Sequence, residues 1–74
     1  MSKKSDLKRA VTESERELSE LERKCARSQT ALLQSILNCT KPDEQDAQYF
    51  RVYTSLIEVE RENLRKLKEE LKNL

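Results

Sequence analysis

The sequence predicts an all-α protein, an antiparallel two-helix hairpin of coiled-coil type that is completed by a partner or by self-association. Three observations carry this. Apolar residues recur at alternating steps of three and four in two long segments. A single proline, Pro42, stands between those segments in the polar stretch NCTKPDEQD. Charged residues make up 39% of the chain, hydrophobic residues 35%, and glycine is absent. That balance describes solvated helices with a narrow apolar seam, not a compact globule. High charge and few aromatics are also marks of a disordered chain, but the periodicity and the net charge of +1 argue against disorder here. Seventy-four residues make one domain at most, and one that buries a core poorly without help. The domain reads as a single hairpin, with a helix at about 6–38, a turn at about 39–45 and a helix at about 46–74.

For the first helix, Ser5 or Asp6 is the expected N-cap, with a capping box at Thr12 and Glu15 as an alternative start and Met1 to Lys4 frayed. From there to Asn38 nothing interrupts a helix. One set of core positions is Val11, Leu18, Cys25 and Leu32, and the other is Leu7, Ser14, Leu21, Ser28 and Ser35. The serines in this seam permit close approach or leave room for large side chains opposite. Near the end, Ala31, Leu32, Leu33, Ile36 and Leu37 cover more than one face. Pro42 then denies a backbone donor and pushes Lys41 out of helical geometry, so the helix stops. The same proline suits the first turn of a new helix, capped by Thr40 or Asp43, with Asp43, Glu44 and Asp46 at its positive end.

The second helix carries a main seam of Phe50, Tyr53, Ile57, Glu60, Leu64, Leu67, Leu71 and Leu74. Glu62 with Lys66, and Lys66 with Glu70, are spaced for i,i+4 support. Counting back from the turn sets Leu32 near Phe50, Cys25 near Ile57, Leu18 near Leu64 and Val11 near Leu71, with Ser28 facing the Tyr53 region. Glu60 interrupts the seam. It reads either as a buried register-setting polar group or, the favoured reading because a buried unpaired charge is expensive, as a carboxylate that reaches past the seam to solvent or to Arg23 or Lys24.

The stretch Gln45 to Val59 holds the only Phe and both Tyr residues, and it carries two stripes rather than one. Phe50, Tyr53 and Ile57 face the first helix; Tyr49, Val52, Leu56 and Val59 form a second stripe. Joined by Leu33 and Leu37, that stripe reads either as the interface of a homodimeric four-helix bundle or as a face that seats a helical partner protein. Spacing alone does not separate the two. An apolar patch of that size left bare on a monomer is a liability, so one of them is expected to hold.

Several function classes are excluded or disfavoured. With no His there is no imidazole acid–base chemistry and no His-ligated metal, and with no Gly there is no phosphate-cradling loop. The carboxylates lie on exposed faces where neighbours shift a pKa little. Cys25 takes a core position as a small hydrophobe, Cys39 at the turn has no basic neighbourhood, and two thiols are too few for a zinc site. Along one helix the two lie roughly 20 Å apart, whereas a disulfide needs about 7 Å. Free thiols suit a reducing cytosol, and no apolar run is long enough for a membrane span or a signal peptide, so a cytoplasmic location is expected. Nucleic-acid binding is disfavoured: charges of both signs are interspersed, and SKKS with Lys8 and Arg9 is the only basic clustering. No catalytic residue, metal ligand or cofactor is expected.

The run Asp46, Ala47, Gln48, Tyr49, Phe50, followed by Leu56, Ile57 and Val59, resembles the opening of the second helix in the small helical-hairpin co-chaperones of bacterial type III secretion systems. Chain length and layout, a long helix, a short turn and a second helix, are similar too. The resemblance implies a cytosolic hairpin that packs on a helical-repeat chaperone, the two together holding the needle subunit and preventing its premature polymerisation. It also implies Tyr49, Phe50, Val52, Tyr53 and Leu56 as contact residues.

Overall fold

A computed structural model of the chain describes residues 2–74. Two helices, α1 (Lys3–Leu37) and α2 (Glu44–Lys72), pack along their length into a rod of 55 × 16 × 14 Å. The all-α hairpin is therefore as expected, with boundaries that differ by a few residues. Helix α1 begins earlier than Ser5 or Asp6 because Ser2 caps it, its side-chain oxygen accepting the Ser5 N–H at 3.1 Å. Asp6 falls instead in the first turn, where the helix dipole favours it. Thr12 forms no capping box; its hydroxyl donates to the Lys8 carbonyl at 3.1 Å, inside the helix.

The end of α1 is a Schellman motif built without glycine. The Thr40 N–H bonds the Ser35 carbonyl at 2.9 Å, and the Cys39 N–H bonds the Ile36 carbonyl at 3.1 Å. Cys39 takes the left-handed conformation this requires, at φ 54°. Of the two candidate caps for α2, Asp43 is the one used, its carboxylate accepting the Gln45 N–H at 2.8 Å.

The seam follows the heptad positions on both helices. Leu7, Ser14 and Ser28 are buried from α1, Ile57 and Leu64 from α2, and the remaining seam residues are half-buried. Leu74 is the exception: it lies past the last turn of α2 and stays exposed. Among the described residues two of the five buried ones are serines, and no side chain is fully buried. The core is thin. An interior of this kind leaves a two-helix unit marginal by itself.

The register differs from the count made at the turn. That count places Leu7 past the end of the chain, yet Leu7 is buried. It also sets Cys25 by Ile57, whereas the Cys25 thiol meets the Thr54 hydroxyl at 3.8 Å. The Ser14 hydroxyl donates to Glu60 at 2.7 Å, again a residue nearer the turn than expected. The reason is that the turn is no tight reversal. Residues 38–43 between the helices are all non-helical, and the placement of Leu7, Ser14 and Cys25 sets α1 to run past the start of α2 by about one helical turn. Arg61 and Lys68 still reach Glu22 and Glu15, at 3.4 and 3.9 Å, since long side chains on α2 lean toward its N-terminus. The i,i+4 pair expected for Glu62 and Lys66 is replaced by a two-point contact with Arg65, at 2.7 and 3.1 Å.

Candidate protein-interaction surface

The candidate surface begins with α2, whose two stripes separate cleanly. Ile57 on the first stripe is 8% exposed, while Leu56 beside it is 44% exposed and Val59 68%. Tyr49 and Val52 continue the exposed stripe toward the turn. Tyr49 is held in place from two sides. Its hydroxyl accepts from the Gln45 side chain at 3.0 Å, and its ring stacks on Tyr53 with centroids 6.1 Å apart and planes at 26°. An aromatic ring already fixed in one orientation loses little entropy on docking, which is what makes tyrosines effective anchors.

Phe50 and Tyr53, candidates by resemblance, lie half-buried in the hairpin's own seam. Leu33 and Leu37 are exposed, Leu37 at 78%. They do not extend the α2 stripe. Leu33 projects as Glu22 and Glu15 do, about three and five whole turns earlier, and those two acids meet Arg61 and Lys68 on one flank of the rod. Leu56 and Val59 line a groove with Leu21 and Lys24 on the other flank. Apart from Leu74 near the C-terminal end, the exposed large apolar side chains among the described residues thus fall in two patches, the α2 stripe and the turn-proximal end of α1. Ile36, outside the expected set, belongs to the overhang and is 64% exposed. Its place in the apolar run Ala31–Leu37 was the available signal.

The groove beside Leu56 has a volume of about 310 Å³ and adjoins a second depression of about 570 Å³; both are bordered by Glu17 and Glu60. Glu60 was expected to turn to solvent or to Arg23 or Lys24. Instead it is held by neutral donors, Ser14 at 2.7 Å and Asn63 at 2.9 Å. Those hydrogen bonds, from Asn63 first and then Ser14, hold its carboxyl below the ordinary carboxylate value. Glu17 moves the other way: the adjacent Glu60 carboxylate, as a hydrogen-bonding neighbour and then as a like charge, pushes its carboxyl above the ordinary value. The small Ser14 matters to this arrangement, because a larger seam residue would close the space that Glu60 enters.

Cys25 is half-buried, Cys39 exposed, and both are free thiols. Among the described residues no three His, Cys, Asp or Glu side chains are grouped to hold a metal, and no helix is long and apolar enough to cross a membrane. The geometry is that of a surface for contact: a fixed tyrosine, three exposed aliphatic side chains and an adjoining groove. No family model, no curated protein and no solved structure matches the chain, so its reading rests on this surface alone.

Proposed function

We propose that this chain is a non-enzymatic binding hairpin, held against another helical protein through Tyr49, Val52, Leu56 and Val59. In its finer form the proposal is a cytosolic co-chaperone of the type III secretion kind, which pairs with a helical-repeat chaperone to hold the needle subunit. One observation carries the reading: a second apolar stripe stays solvent-exposed on α2 although the first is turned into the seam. A hairpin whose own core contains no fully buried side chain gains stability from any body that covers that stripe. The finer form draws its support from the Gln48–Tyr49–Phe50 opening of α2 and the hairpin layout.

The test is a binding measurement against a helical-repeat chaperone and a needle subunit, with Tyr49→Ala and Leu56→Ala variants beside the native chain. Both variants are expected to lose partner binding by at least about tenfold, as central aromatic and aliphatic anchors do, while helicity by circular dichroism stays unchanged. Unchanged binding with lowered helicity would assign both residues to the internal core and end the proposal. The same thin core also favours a second reading, two hairpins closing into a four-helix bundle. Melting that depends on concentration with no other protein present is its signature.

A further inference from the structure

The flank that carries Leu56 and Val59 has an electrostatic character the rest of the rod lacks. Its two adjoining depressions run along α1 from Asp6 to Lys24, a rise of about 27 Å, which matches a helix of about 18 residues. Leu21, Leu56 and Val59 floor one end, Ala10 and Leu67 the other. Along the rim α1 places Asp6, Glu13, Glu17 and Glu20 against only Arg9 and Lys24. The whole chain carries a net charge of +1, so this acidity is a local segregation.

The opposite flank shows what balance looks like. There Glu15 and Glu22 are answered by Lys68 and Arg61. Among the described residues no ion pair involves Asp6, Glu13, Glu17 or Glu20. Hydrogen bonding to Glu60, and the charges of Glu60, Glu13 and Glu20 gathered around it, push the Glu17 carboxyl above its ordinary value. A groove of helix length with apolar residues at both ends of its floor and an acidic edge without ion pairs is complementary to one kind of occupant.

We infer that the partner segment seated on this flank is an amphipathic helix whose apolar face covers Leu56, Val59 and Leu21 and whose lysines or arginines run along Glu13, Glu17 and Glu20. This deepens the proposed function and rests on its reading of the Leu56 stripe as a docking face. Recognition divides between the two features: the apolar floor supplies affinity, and the acidic edge selects charge and direction.

The probe is a pair of dye-labelled synthetic peptides of about 18 residues with the same Leu/Ala face, one flanked by Lys and the other by Glu. Both are titrated with the full chain by fluorescence anisotropy at low salt. The Lys peptide is expected to bind at least about tenfold tighter. Glu17→Gln with Glu20→Gln should bring the two peptides to within a few-fold, and Leu56→Ser with Val59→Ser should abolish binding of both. Equal binding that Leu56→Ser abolishes overturns the charge complementarity and leaves the docking face standing. Lys-peptide binding that survives the serine variants also overturns the inference, since it would be attraction without the groove. Absence of binding by either peptide overturns it as well, and the Tyr49 and Leu56 partner assay then judges the docking face separately.

Discussion

Replacing Cys39 by glycine is expected to stabilise the hairpin. Cys39 sits at the position after the helix cap where the chain must turn left-handed, with φ at 54°, and a Cβ in that region costs roughly 1–2 kcal/mol. Both Schellman hydrogen bonds are backbone bonds, so removing the side chain leaves them intact. The thiol is exposed and free, and its loss removes no packing of consequence. Against the relief of strain stands the larger conformational entropy that glycine gives the unfolded chain, about 0.4–1 kcal/mol. The difference leaves a gain of about 0.5–1 kcal/mol. For a domain of this size that is a rise in Tm of roughly 2–8 °C. Thermal unfolding followed by far-ultraviolet circular dichroism, at one fixed protein concentration under reducing conditions, reads it directly. Cys39→Ala is the control, since it removes the thiol but keeps the Cβ, and it should melt with the native chain. If Cys39→Gly melts no higher than Cys39→Ala, the left-handed cap is not a source of strain and the argument for this helix end fails.

Two further outcomes follow from the packing and the charges. Leu64→Ala should cost about 2–3 kcal/mol by chemical denaturation, whereas Val52→Ala on the exposed stripe should stay within about 0.5 kcal/mol; similar losses would show that the two stripes are not separated as described. The Glu17–Glu60 pair makes stability depend on pH in both directions. Glu17 holds its proton more tightly when folded, so its contribution is complete below the ordinary carboxylate value and fades as pH rises through its raised one. Glu60 holds its proton less tightly, so its contribution is present above the ordinary value and fades as pH falls through its lowered one. Solvent exposure keeps both effects small. Glu17→Gln should flatten the decline in Tm on the side above the ordinary carboxylate value while leaving the acid-side loss in place; an unchanged profile would mean that the two carboxylates do not interact.

Much of the hairpin was legible because its signals are local and periodic. The seam positions on both helices could be read from the three-and-four spacing, and Pro42 marked the break between them. What escaped reading depends on the path of the loop. The register was misplaced because it depends on how the non-helical residues 38–43 span the reversal, which no periodicity encodes. The first cap was misplaced because three polar candidates, Ser2, Ser5 and Asp6, stand close together, and only the geometry selects Ser2. Glu60 was legible as an anomaly but not as a partner of Ser14, since that pairing follows from the shifted register; Asn63 is three residues on along the same helix and needs no register. The exposed stripe of Tyr49, Val52, Leu56 and Val59 was visible as a second period. That Leu33 and Leu37 face the other way required knowing which flank each helix turns outward.

The overhang of α1 has a consequence for how this molecule is gripped. Leu33 and Leu37 look out on one side of the rod's tip, and Leu56 and Val59 look out on the other. A flat body pressed against either side leaves the opposite one wet. Shielding both takes a clasp that curls round the tip, or two separate bodies with the hairpin wedged between them like a key between tumblers.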